Sequence, residues 1–306
     1  MILVTGGTGY LGRALVARLL EQGEPVRILS RQPRRLAAEV CVGDLNDQDR
    51  LREALRGVRV VYHLAALVDH YASPEELHRV NVQGTQNLAA AAIRQGVSRF
   101  VHCSSVSAEP GGGSTVYGRS KIAAEQALEG YQSRLAILRM RPGPVYDEER
   151  KNLQRLIGFA RRAHLCPRLL PDVRIHLASR KNVTDAFLLA KTAGIPGNAY
   201  AICDRQPVQR STLARIIQRH TSARDLPLPL APLYPALYAM ALGCEGLQAL
   251  LGRRPLIDRH YLRVLTRARQ YDLGPAQREL GYVPAPTEAH FGETVHRILE
   301  LQRSKR

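Results

Sequence analysis

The stretch Ile2–Gln22 constrains this chain more than any other. Ile2 to Thr5 is a short apolar, β-branched run, Gly6-Gly7-Thr8-Gly9-Tyr10-Leu11-Gly12 follows without a spacer, and Arg13 to Gln22 carries apolar residues at helical spacing. The pattern predicts a strand, a glycine turn and a helix. Its glycines meet separate needs: a tight reversal, a backbone that an anion can approach, and a helix pressed against a strand. The first N–H groups of that helix, and its dipole, suit a pyrophosphate. A glycine cluster alone usually makes only a turn. The strand before it and the helix after it supply the context that nucleotide binding requires.

The same alternation continues. Pro25–Ser30, Glu39–Gly43, Val58–Leu64 and Arg99–Ser104 read as further strands, with helical segments between them, among them a long one over Pro74–Gln95. This predicts an α/β fold, a doubly wound parallel sheet of the Rossmann kind with helices on both faces. Residues 1–145 are expected to form the dinucleotide-binding domain. Residues 146–306 are expected to form a smaller, mostly helical substrate lobe, interleaved with the last strands and helices of the sheet. Ligand should sit at the carboxyl ends of the strands, where Gly6–Gly12, Ala65-Ala66 and Ser104-Ser105 fall.

The end of the second strand bears on the cofactor. A site for an unphosphorylated ribose commonly has Asp or Glu there, whereas this chain has Ser30 and Arg31, then Arg34 and Arg35. Guanidinium groups bind a 2′-phosphate that a carboxylate would repel, so NADP(H) is favoured over NAD(H), which stays open. Asp44 either accepts from the adenine amino group or caps the helix that starts near Asp47. Asn81 lies inside the long helix and needs a hydrogen-bonding reason to be there.

Tyr117 and Lys121 share one face of the next helix. An ammonium near a phenol favours the phenolate, so Lys121 is expected to lower the Tyr117 pKa and make it a proton donor or acceptor near neutral pH. Ser105, with Ser104 as the fallback, is placed to hold the same substrate oxygen. Tyr-x-x-x-Lys by itself is usually a solvated helix face. It becomes a candidate only behind the nucleotide fingerprint and the strand-terminal serines.

Composition narrows the partners. The net charge is +17, mostly arginine spread along the chain. No basic run is interleaved with aromatic residues, so no nucleic acid is expected. An Arg-rich composition and attraction to an anionic membrane surface remain as two readings of the charge. Cys41, Cys103, Cys166, Cys203 and Cys244 stand singly with no C-x-x-C pair, which argues against a zinc or dithiol site; no metal is expected. The first strand begins at residue 2, so no cleavable signal is expected and a cytoplasmic location is anticipated. Leu226–Leu251 is apolar with Glu245 as its one charge, and Pro227, Pro229, Pro232 and Pro235 interrupt its first half. A full membrane crossing is therefore not expected, and a buried lobe helix, an apolar lid and an interfacial helix remain.

Taken jointly, Thr5–Gly12, His63-Leu64-Ala65-Ala66, Asn81–Thr85, Ser104-Ser105 and Tyr117-x-x-x-Lys121 resemble the extended short-chain dehydrogenases/reductases. Leu138–Tyr146, Asn182–Ala190 and Leu280–Pro284 are similar to later segments of that family, so the likeness spans nearly the whole chain. The resemblance implies Tyr117 as acid/base, Lys121 as its partner and a holder of the nicotinamide ribose, Ser105 as the group that orients substrate, and Asn81 in support. It implies a cofactor lined by Gly6, Thr8, Gly9, Tyr10, Leu11 and Gly12, by Leu45, Leu64, Ala65 and Ala66 at neighbouring strand ends, and by Pro142 and Val145 at the nicotinamide. A homodimer is an expectation by resemblance alone. The Ser105–Tyr117 stretch is shorter than in many sugar-nucleotide epimerases, and Asp147-Glu148-Glu149 follows Tyr146 in place of the usual glycine. Leu226–Leu251 resembles the corresponding part of 3β-hydroxysteroid dehydrogenase-like members. The leading expectation is thus an oxidoreductase for a small apolar alcohol or ketone. The alternatives are an NAD-dependent sugar-nucleotide epimerase/dehydratase and a non-catalytic NADP-binding protein.

Overall fold

Short strands begin the fold: β1 (Ile2–Thr5), β2 (Val26–Ser30), β4 (Val60–His63), β5 (Arg99–Cys103) and β6 (Ala136–Pro142), buried along most of their length, and the more exposed edge strand β3 (Glu39–Val42). Apolar runs of this kind suit a parallel sheet covered on both faces. The computed structural model describes residues 1–69, 72–110, 113, 115–168, 172–227, 234–251 and 268–304. In it the six strands and Ala199–Ile202 form one sheet in the order Ala199–Ile202, β6, β5, β4, β1, β2, β3. Every pairing in that sheet is parallel. The strand order reverses between β1 and β4, and that is where such sheets hold ligands.

The helices over this stretch are α1 (Tyr10–Glu21), α2 (Gln48–Ala54), α3 (Pro74–Leu77), α4 (Gly84–Arg94) and α5 (Val116–Glu129). Leu3, Val61, Phe100 and Ile137 of the sheet share a fully buried cluster with Leu88, Ala92 and Leu128 of α4 and α5. Each large side chain so buried contributes roughly 1.5–3 kcal/mol. The long helix expected over Pro74–Gln95 runs without interruption from Pro74 to Arg94, with a change of winding in its middle. Between α3 and α4, His78–Gln83 is a π-helix with Asn81 inside it. Such a bulge re-aims side chains, and it often marks a functional position.

The chain divides into two units. The first is Met1–Gly143 with Arg180–Ile202 and Asp272–Val283, and the second is Pro144–Ser179, Cys203–Tyr271 and Pro284–Arg306. In the second, Ile157, Ile217, Val295 and Ile298 join helices Lys151–Ala163, Arg210–Thr221 and Thr287–Arg303 in one apolar core. The fully buried Asp204 is a polar hub there. Its carboxylate accepts from the Ser179 N–H at 2.8 Å, the Thr287 hydroxyl at 2.8 Å and the Tyr146 hydroxyl at 3.0 Å. Those bonds satisfy the charge internally, so Asp204 is structural. Of the apolar stretch, Tyr234–Leu251 is a helix with Ala241 buried and Met240 and Leu242 exposed, and residues 228–233 lie outside the described residues. No described helix is long and apolar enough to cross a membrane.

Candidate active site

The glycine turn lies at the switch point. Gly6 has φ +70°, and a Cβ there would stand 2.6 Å from the Ala65 nitrogen and 2.7 Å from the Leu64 carbonyl carbon. Leu64 and Ala65 therefore press their backbone against the turn. Gly12 is equally constrained, because a Cβ on it would fall onto the Gly6 carbonyl. Helix α1 starts with Gly9 as its cap, with no side-chain cap hydrogen bond and no acidic residue in its first turn. Its first N–H groups, at Tyr10, Leu11 and Gly12, have no helical acceptor, and nothing acidic competes for their field. The turn and helix start have room and free field for a pyrophosphate.

A hydrogen-bonded chain runs from the end of β1 to α5. The Thr85 hydroxyl donates to the Asn81 carbonyl at 2.6 Å, so toward His63 Nε2, 2.8 Å away, it can only accept. That makes His63 the Nε2–H tautomer, and its Nδ1 accepts from the Thr5 hydroxyl at 2.7 Å. Both ring nitrogens are used by neutral partners, and burial, with the Lys121 charge adding to it, holds the His63 pKa down to about 3. The Asn81 amide continues the chain. Its Oδ1 accepts from Leu67 N–H at 2.7 Å, and its Nδ2 donates to the Leu67 carbonyl and to Ser120 Oγ, each at 3.0 Å. Ser120 donates in turn to the Tyr117 carbonyl at 2.7 Å. Asn81 therefore ties the loop after β4 to the helix that carries Tyr117. Its unusual place in a helix has that reason.

Tyr117, Lys121 and Ser105 meet at the end of β5. Thr115 caps α5 by accepting from Gly118 N–H at 2.9 Å, which sets Tyr117 in the first turn. The buried Tyr117 phenol shares a hydrogen bond with the Ser105 hydroxyl. Ser104 Oγ, the fallback, is buried with no partner among the described residues, so Ser105 is the serine that serves the phenol. Lys121 is buried and donates to the Cys103 carbonyl at 2.8 Å. One expectation needs correction. Tyr117 is pushed above its ordinary pKa, by burial first and by the neighbouring Cys103 second, with only the Ser105 hydrogen bond opposing. Burial also lowers the Lys121 ammonium, against the pull of Cys103 and Glu125. Loss of water decides the acidity of both groups in the chain alone.

A second brace was not legible in the motifs. Arg141 of β6 forms a two-pronged pair with Glu125 of α5, at 2.9 and 2.6 Å, and reaches Glu109 at 3.0 Å. It fixes α5 and the segment after Ser105 to the sheet. Breaking so buried a pair costs roughly 3–5 kcal/mol.

The other expected residues divide. Arg31, Arg34 and Arg35 are exposed just after β2, and among the described residues none has an acidic partner. Asp44 does not cap α2. It accepts from Asn46 in a local turn, and Asp47 is the cap, accepting from Asp49 and Arg50 N–H. Leu45 is buried in the sheet–helix core. Ala66 follows Ala65 at the exit of β4. Pro142 ends β6, while Val145 belongs to the second unit, in a strand paired with Ala178–Ser179. Among the described residues no group of His, Cys, Asp and Glu could hold a metal.

Known proteins resemble this chain. The sequence profile of the NAD dependent epimerase/dehydratase family matches residues 2–203. The chain is 32% identical to the sterol demethylase protein B of Methylococcus capsulatus, over 96% of each chain. It is 29% identical to a 3 beta-hydroxysteroid dehydrogenase/Delta 5-->4-isomerase of Mycobacterium tuberculosis, over 92% of this chain and 86% of that one. Among solved structures, the UDP-N-acetylglucosamine 4-epimerase of Bacillus cereus superposes with a TM-score of 0.75 at 21% identity, over 99% of this chain and 96% of that one. That last likeness is one of fold.

Proposed function

Because this chain belongs to the NAD dependent epimerase/dehydratase family, among the extended short-chain dehydrogenases/reductases, we propose that it is an NADP(H)-dependent oxidoreductase interconverting an apolar secondary alcohol and its ketone. One observation carries the reading: a buried phenol, Tyr117, hydrogen-bonded to Ser105, one turn from a buried ammonium anchored at the end of β5. Ser105 and Tyr117 hold the substrate oxygen between two hydroxyls. Burial keeps the phenol protonated at neutral pH, so it is ready to give its proton to an oxygen that is gaining charge. Lys121 offsets the negative charge left on Tyr117 afterwards. The nicotinamide, when bound, supplies or takes up the hydride.

The substrate class rests on the relatives, whose names refer to sterols and hydroxysteroids. The test is a paired assay with NADPH. A saturated keto-steroid is expected to bleach the nicotinamide absorbance, and a UDP-sugar is not. An epimerase would give the reverse signature, conversion of the UDP-sugar with no net absorbance change. A chain that binds NADPH and turns over neither would count against both substrate classes, and NADPH binding unchanged by Tyr117→Phe would then favour a binding protein.

The cofactor preference rests on Arg31, Arg34 and Arg35, exposed cations with no carboxylate partner among the described residues. Arg31→Asp removes one charge-assisted fork and adds a repulsion. Titration should show NADPH binding weakened by about tenfold or more, or at least 1.4 kcal/mol, with NADH changed by less than about twofold. Equal losses for the two cofactors would remove the argument for phosphate recognition.

A further inference from the structure

A polar row crosses the sheet beside the site. Thr5, His63, His102 and Arg139 stand in register on β1, β4, β5 and β6. Thr5 and His63 belong to the chain of bonds described above, and Arg139 donates to the Gly197 carbonyl and pairs with Glu129. His102 differs. Its ring is 1% exposed, and among the described residues neither Nδ1 nor Nε2 has a hydrogen-bond partner. Just after β5, Ser104, whose N–H still donates to the Met140 carbonyl at 2.7 Å, has a buried Oγ that is likewise unpartnered among the described residues. A neutral imidazole and a hydroxyl each offer a donor and an acceptor, and leaving such groups unmet costs about 1–3 kcal/mol apiece.

The surroundings say what would meet them. Phe100 and His102 share a face of β5, and Phe100 packs in one cluster with Leu128 of α5. Lys121 lies two helical turns before Leu128. It donates to the carbonyl of Cys103, the residue between His102 and Ser104. His102 is faced by the neutral His63 ring from β4, with centroids 5.4 Å apart, by Arg139 from β6 and by Lys121 from α5. Burial, and then these two cations, keep the imidazole neutral. Asn81 cannot donate to this pair, because both of its Nδ2 hydrogens are already used. The group that completes His102 and Ser104 must be small and able both to donate and to accept. Water meets both conditions.

We propose that His102 and Ser104 hold a buried water on the inner side of Lys121, and that His102 acts through it as a positioning residue, keeping the Lys121 ammonium charged opposite Tyr117. The kinetic half of this rests on the function proposed above, whereas the water site does not. An atomic-resolution crystal structure of the full chain should show a water about 3 Å from a His102 ring nitrogen and from Ser104 Oγ. His102→Phe should lose it. A dry gap in the parent would overturn the proposal whatever the chain catalyses.

Turnover of the keto-steroid supplies the second readout. Without the water the ammonium is harder to maintain, so the Tyr117 phenolate loses support. The pH limb set by the phenol should then move upward by about one unit in His102→Phe. His102→Gln keeps a donor and an acceptor and should bring the limb back to the parent position. Superimposable profiles for the three proteins would overturn the positioning role. A parent with no turnover would count against the proposed substrate, and the water density would still decide this inference.

Discussion

Tyr117→Phe should abolish turnover, by about a thousandfold or more, while leaving NADPH affinity within about twofold. The substitution removes one oxygen. The backbone of residue 117 keeps the bond from Ser120 to its carbonyl, and α5 keeps its Thr115 cap and its Glu125–Arg141 brace. The helix should therefore stay where it is. The Ser105 hydroxyl loses its phenolic partner but still accepts from the Ser107 N–H at 3.1 Å. What disappears is the proton that the buried phenol would deliver to the substrate oxygen. Because the proton transfer that is lost is a transition-state interaction, kcat and kcat/KM should both fall. Retained activity would mean that the proton comes from elsewhere and that Tyr117 is packing. A parallel collapse of cofactor affinity would mean that the phenol props up the cofactor cradle.

The two kinds of information in this sequence were not equally legible. The parallel sheet could be read because its strands are short apolar runs between helical repeats, and local periodicity records that. Asn81 could be flagged because an asparagine inside a helix asks for a partner. That the helix would rewind as a π-helix around it, and that its amide would clamp Leu67 and Ser120, depends on contacts from other strands and helices. The acidity of Tyr117 failed for a related reason. Spacing shows an amine one turn away, but the sign of the shift is set by burial, which only the packed fold supplies. Asp44 and Asp47 are three residues apart and equally good caps by type, and the chain's turn chose the second. The buried histidines did leave a trace. Two neighbouring parallel strands carry Tyr62-His63 and Val101-His102 toward their carboxyl ends, and once the register is known the rings must adjoin.

Gly6→Ala should be the most damaging small change in the cofactor cradle. Two penalties coincide there. At φ +70° an L-residue is strained by roughly 1–2 kcal/mol. The new methyl would also stand 2.6 Å from the Ala65 nitrogen and 2.7 Å from the Leu64 carbonyl carbon, and both are backbone atoms. Neither can swing aside as a side chain could. They are held by the register Thr5↔His63 and by the bond from Leu64 N–H to the Thr5 carbonyl at 3.0 Å. Relief therefore requires β1 and β4 to part at their carboxyl ends, where the strand order reverses and the pyrophosphate is expected. The loss should be about 3 kcal/mol in urea unfolding together with a fall in NADPH affinity of about a hundredfold. Gly23→Ala supplies the comparison. It has φ +73°, just beyond the other end of α1, and its Cβ would have nothing within 4 Å. It carries the strain alone, so it should cost about 1 kcal/mol and leave NADPH binding unchanged. If the two variants lose the same stability and both keep their cofactor, the contact between the turn and β4 does not shape the cradle, and the placing of the pyrophosphate there fails with it.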